Sequence, residues 1–148
     1  MSKKKIIICL VIIVCISAFV IYNGRKPSLE KVKEQLWLTK TIRLEKIPLE
    51  SDKPISCSEI QEEKTIQEIV KILNDSYVAP KNQWYTLART INYHLEFLDK
   101  ENHVLTTLET QSSEPIALKR QGYKYLIRLE NETRFKEILE KHCEKVSN

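Results

Sequence analysis

The sequence predicts an α+β fold in two layers. An antiparallel sheet of about four to five strands carries two helices on one face, behind an N-terminal transmembrane helix. Three observations lead there. Residues 6–22 are an apolar run broken only by Ser17. Apolar residues recur at helical spacing over 62–77 and again over 132–145, the period of an amphipathic helix. Around those stretches, short segments alternate apolar and polar residues, the two-residue period of a half-buried strand.

The run over 6–22 follows Lys3, Lys4 and Lys5 and ends at Asn23, Gly24, Arg25 and Lys26. At 1.5 Å per residue it spans about 25 Å, against a hydrocarbon core of ~30 Å. Snorkelling of the flanking basic stems, with Tyr22 at the interface, would close the difference. A cleaved signal peptide wants small residues before the cut, and Tyr22-Asn23-Gly24 suits that poorly. A lipoprotein signal wants a small residue before its cysteine, whereas Cys15 follows Val14 and Cys9 follows Ile8. An uncleaved anchor needs neither feature. The expected organisation is therefore a signal anchor over 1–24, a juxtamembrane stalk or short helix over 25–40, and one domain over 41–146. The basic tail favours a cytoplasmic N-terminus and an extracytoplasmic domain, with Arg25, Lys26, Lys31 and Lys33 opposing from the other flank.

Within the stalk, Ser28 is placed to cap a short helix in which Leu29, Val32 and Leu36 recur at helical spacing. Thr41-Ile42-Arg43-Leu44-Glu45 alternates as a strand, Pro48 and Pro54 bracket a turn, and residues 55–60 form a second short strand or extended entry. A helix over 62–77 follows, with Ile66, Ile69, Val70 and Leu73 on one stripe and acidic residues at its positive end. Asn74-Asp75-Ser76 and Pro80 stop it. Tyr93, Leu95 and Phe97 alternate with His94, Glu96 and Leu98, and Asp99-Lys100-Glu101-Asn102 turns the chain into a return strand over 103–109. Residues 116–119 and 123–129 pair across a turn in which Gly122 takes positive φ. Asn131 caps a final helix whose stripe is Phe135, Ile138 and Leu139.

Charge excludes a nucleic-acid partner. Five of the 24 basic residues flank the apolar run, so residues 27–148 hold 19 basic groups against 20 acidic ones, a formal charge of −1. Phosphate binding needs a concentrated positive surface, and none is present.

Chemistry-bearing residues are sparse. His94, His103 and His142 fall in no metal-ligating spacing, although His94 and His103 would be cross-strand neighbours in one register. No metal and no cofactor is expected, and two glycines leave no phosphate-cradling loop. His142 and Cys143 are adjacent, but neighbouring helical residues point about 100° apart. Glu59, Glu62, Glu63 and Glu68 cluster at one helix start and read as dipole compensation. Asn131-Glu132-Thr133 and Asn74-Asp75-Ser76 match a glycosylation sequon but are explained as a helix cap and a helix stop. Cys57 and Cys143 are the two domain cysteines, a candidate disulfide in an oxidising compartment or else two buried thiols. Trp84 and Tyr85 sit in a polar loop and are candidate partner contacts; together with Trp37 they otherwise close one end of a small core.

The segments Glu62-Glu63-Lys64-Thr65-Ile66-Gln67-Glu68-Ile69, Asn92-Tyr93-His94-Leu95-Glu96-Phe97-Leu98-Asp99-Lys100 and Gly122-Tyr123-Lys124-Tyr125-Leu126-Ile127, ahead of a Phe135/Ile138/Leu139 helix, carry a resemblance. Over residues 41–142 the chain resembles small α+β domains of unknown function in lipoproteins and membrane-anchored proteins of Firmicutes. The resemblance implies an envelope-facing domain without established enzymatic activity and transfers no functional residue. The expected function is a membrane-tethered, extracytoplasmic, non-enzymatic binding module. It would be tethered through residues 6–22 and bind an envelope protein or other envelope component. The alternative is an immunity or inhibitor protein against a secreted or membrane-active toxin or hydrolase.

Overall fold

A computed structural model describes residues 8, 11–18, 27–48, 53–80, 91–111 and 116–144. After an N-terminal helical segment, described at residues 8 and 11–18, the order is α1 (Leu29–Leu36), β1 (Thr41–Lys46), β2 (Ile55–Ser56), α2 (Glu63–Asn74), β3 (Tyr77–Val78), β4 (Ile91–Leu98), β5 (Val104–Gln111), β6 (Ile116–Arg120), β7 (Tyr123–Arg128) and α3 (Glu132–Glu144).

Among the described residues the strands form one seven-stranded sheet in the order β2-β1-β4-β5-β6-β7-β3, and every pairing is antiparallel. The α+β class stands, and the expected sheet of four to five strands is corrected to seven. Beyond the five longer strands stand β2, within the short strand or extended entry expected over 55–60, and β3, which was not expected; each has two residues and lies at one edge. Two residues are too few to show a period, so only pairing with β1 and β7 makes them strands. Edge strands this short also present little unpaired backbone to other chains.

The transmembrane helix is corrected as well. Among the described residues no helix is long and apolar enough to cross a membrane.

The helix expected over 62–77 is also shorter. α2 stops at Asn74; Ser76 Oγ donates to the Leu73 carbonyl at 2.6 Å, and the chain passes directly into β3.

One face of the sheet is the core. Ile42 and Leu44 of β1 lie opposite Phe97 and Leu95 of β4; Leu95 pairs with Leu108 of β5, Leu108 with Leu118 of β6, and Ile116 with Ile127 of β7. All of these are buried in one cluster with Val32 and Leu36 of α1, Ile66, Ile69, Val70 and Leu73 of α2, and Phe135, Ile138 and Leu139 of α3. Among the described residues three helices thus feed that core where two were expected, because the short helix allowed over 25–40 is α1, whose Leu29, Val32, Leu36 stripe packs against α2 and β5.

The other face is a charged ladder. Arg43 Nη1 lies 3.5 Å from Glu96 Oε2 on the neighbouring strand, and its Nε 3.1 Å from Glu59. Lys119 Nζ lies 2.5 Å from Glu109, whose Oε1 is also 3.9 Å from His94 Nδ1. Opposite charges across antiparallel strands support the register.

Turns close where the sequence permits positive φ. Gln121 (φ 49°) and Gly122 (φ 80°) form a two-residue hairpin between β6 and β7. Asn102 (φ 63°) ends the β4–β5 turn.

Candidate functional site

Cys57 and Cys143 lie within bonding distance, their sulfurs 1.96 Å apart. The bridge fastens the end of α3 to the chain just after β2. Ser58 reinforces it, donating from Oγ to the His142 carbonyl at 2.7 Å. His142 turns its Nδ1 to the Ile138 carbonyl at 2.8 Å, and the Cys143 sulfur is held in the bridge and is not a free thiol.

The remaining candidates disperse. His94 pairs in register with Glu109, while His103 sits in the β4–β5 turn within 3.5 Å of Asp99 and Glu101, so the two histidines are not cross-strand neighbours. The four glutamates divide among four partners: Glu59 with Arg43, Glu62 with Thr65, Glu63 with Gln67 and Glu68 with Arg134. Among the described residues no group of three or more His, Cys, Asp or Glu is arranged to hold a metal ion. Trp84 and Tyr85 lie outside the described residues.

Trp37, grouped with those two aromatics in the sequence, marks the site that the fold does assemble. α1 ends without a glycine, and its last turn tightens: the N–H groups of Trp37, Leu38 and Thr39 donate to the carbonyls of Glu34, Gln35 and Leu36. That geometry turns Trp37 outward, 54% exposed, and Thr39 inward, 5% exposed. Lys40 is anchored by its N–H on the Leu98 carbonyl at 2.8 Å. From the other side, Ile42 and Ile60 exchange backbone hydrogen bonds at 3.0 and 2.9 Å, which brings Gln61 and the start of α2 beside Thr39 and Lys40.

The result is a cavity of about 240 Å³ between α1 and α2. Leu36, Ile66 and Val70 form its apolar wall; Trp37, Thr39, Lys40, Gln61, Glu63 and Gln67 supply the rest of the lining. Gln67 Nε2 donates to Glu63 Oε1 at 3.3 Å and Gln61 Nε2 to Glu59 Oε2 at 3.2 Å, which orients both amides. The Thr39 hydroxyl oxygen is buried and makes no hydrogen bond. Such a group retains its full desolvation cost until something pairs with it.

Two other concavities are less suited to a ligand. In the cleft of about 360 Å³ between α2 and α3, Lys71 pairs with Asp75 and Arg134 with Glu68, so the charges satisfy one another. In the open groove of about 510 Å³ beside the β6–β7 hairpin, Lys119 is held by Glu109 and Arg120 Nη1 donates to the Leu105 carbonyl.

No protein-family model matches the chain, and searches of curated proteins and of solved structures find no match either. The likeness to Firmicutes envelope domains therefore rests on pattern alone.

Of the site residues, sequence reasoning singled out Trp37 and counted Glu63 among helix-start acids. Thr39, Lys40, Gln61 and Gln67 carried no signal beyond one hint: Trp37-Leu38 continues the apolar spacing of α1 one step past its buried face.

Proposed function

We propose that this domain is an extracytoplasmic, non-enzymatic binding module whose recognition surface is the cavity rimmed by Trp37. The observation that carries the reading is an exposed indole at a cavity lined by both apolar and polar side chains. Ligand sites are concave, mostly apolar, and oriented by a few polar groups, and tryptophan dominates binding energy where it is available. The Cys57–Cys143 bridge supports the extracytoplasmic part, because structural disulfides persist in oxidising compartments. The bound species on this reading is an envelope protein or another envelope component.

Photo-crosslinking of the tagged full chain in its native host, followed by identification of what co-purifies, tests the reading. A stoichiometric partner retained by the Trp84→Ala/Tyr85→Ala protein but lost with Trp37→Ala is the expected result. Enrichment of nothing over an untagged control removes the binding-module reading. Loss only with Trp84→Ala/Tyr85→Ala moves the surface away from Trp37.

A further inference from the structure

We infer that the cavity between α1 and α2 binds a saccharide, seating one pyranose ring against Trp37. The inference rests on the binding-module reading above and names its ligand class.

The lining divides by chemistry in the way a sugar does. A pyranose ring presents partially positive axial C–H groups on its faces, and these meet the electron-rich face of an indole. Trp37 is just over half exposed and lines the cavity. The edge of a pyranose is a row of hydroxyls, each both donor and acceptor. The polar lining offers the complement: the Glu63 carboxylate accepts, the Lys40 ammonium donates, and the amides of Gln61 and Gln67 offer both functions.

Other ligand classes fit worse. An anion would lie against Glu63, and a cation would lie against Lys40. A wholly apolar ligand would press against the Lys40 ammonium and the Glu63 carboxylate and offer neither a partner. A neutral polyhydroxyl compound satisfies both charges at once. Size points the same way. The cavity measures about 240 Å³, below the ~300–1,000 Å³ of sites for drug-sized ligands, so it suits one ring at a time. That ring is a free monosaccharide or one unit of an envelope glycan; the recognition chemistry is the same.

The full-length, oxidised protein carrying Trp84→Phe has Trp37 as its single tryptophan. Its emission and its backbone amide shifts are followed while glucose, N-acetylglucosamine and a soluble trisaccharide of the latter are added. A saturable blue shift in emission, with amide shifts confined to residues 36–40 and 61–70, is the expected result. Trp37→Ala, followed by amide shifts, weakens binding at least tenfold, and Trp37→Phe recovers part of it. Unfolding midpoints near that of the parent show that these variants fold. A trisaccharide bound more tightly than its monomer assigns the source to a glycan, and equal affinities assign it to a free sugar. No saturable change with any of the three saccharides overturns the inference. If Trp37→Ala nonetheless abolishes the crosslinked partner, the binding module survives and the saccharide does not.

Discussion

Lys33 is only 5% exposed, yet its ammonium has definite partners: it donates to the Ser76 carbonyl at 2.6 Å and the Asn74 carbonyl at 3.2 Å. These carbonyls lie at and just beyond the C-terminus of α2, where the helix dipole is negative and intrahelical donors run out. Asn74 returns a bond from Nδ2 to the Lys33 carbonyl at 3.4 Å, so the two helices cap one another. Lys33→Met would keep the buried stem and strip both carbonyls of their donor. The expected loss is about 1–3 kcal/mol, measured by urea unfolding; an unchanged midpoint would show that the carbonyls find another donor. In the sequence Lys33 reads as one more basic residue flanking an apolar run. Residue type does not encode burial for lysine, because its long apolar stem packs against a core while the charge seeks a partner. Which carbonyls wait for it depends on where a helix 41 residues further on comes to its end.

At the scale of elements, carboxylates hold the β4–β5 turn and the α2–α3 junction. Asp99 Oδ1 accepts from the N–H groups of His103 (2.9 Å) and Glu101 (2.8 Å). These hydrogen bonds, that from His103 foremost, hold its carboxyl below the ordinary 3.8. Glu68 receives Arg134 Nε at 2.6 Å, and that hydrogen bond lowers its carboxyl from the ordinary 4.5. A carboxylate depressed in the folded state stabilises the fold above its unfolded pKa, and that contribution disappears as pH falls through the lower folded value. Stability should therefore be flat from neutrality to about pH 5 and decline below it. Asp99→Asn keeps an acceptor in the turn but loses the charge, so its unfolding midpoint should be lower at pH 7 and fall less on going to pH 3. Equal acid sensitivity of parent and variant in urea titrations at the two pH values would rule out Asp99 as a contributor. This turn was legible from Asp99-Lys100-Glu101-Asn102, since its chemistry is local. The boundary between α2 and β3 was not. Tyr77 lies four residues after Leu73 and continues the helical spacing, and only the demand of β7 for an edge partner, with Tyr77 opposite Arg128, makes it a strand.

For the whole molecule, the Cys57–Cys143 bridge joins positions 86 residues apart and encloses α2, β3 and the four strands of the central meander, β4 to β7. Constraining so long a loop in the unfolded chain stabilises the fold by about 2–5 kcal/mol. Replacing both cysteines with serine, or reducing the bridge, should lower the thermal midpoint by several degrees or more, and the core should remain folded because Phe97, Leu95 and Phe135 belong to a buried cluster drawn from three helices and the sheet. No change on reduction, checked by free-thiol labelling, would show that the bridge does not constrain the unfolded chain. By itself the sequence determined the α+β class, the alternation that marks the core face of β1 and β4, the apolar stripes of α2 and α3, and the turns after β4 and β6. All of these are written in local period and turn chemistry. Only the tertiary structure decided the seven-strand order, the incorporation of α1 into the core, and the meeting of Trp37, Thr39 and Lys40 with Gln61, Glu63 and Gln67. Those residues converge because the Ile42–Ile60 bridge and the packing of α1 on α2 close the intervening chain. Such long-range contacts leave no period in the residues they join.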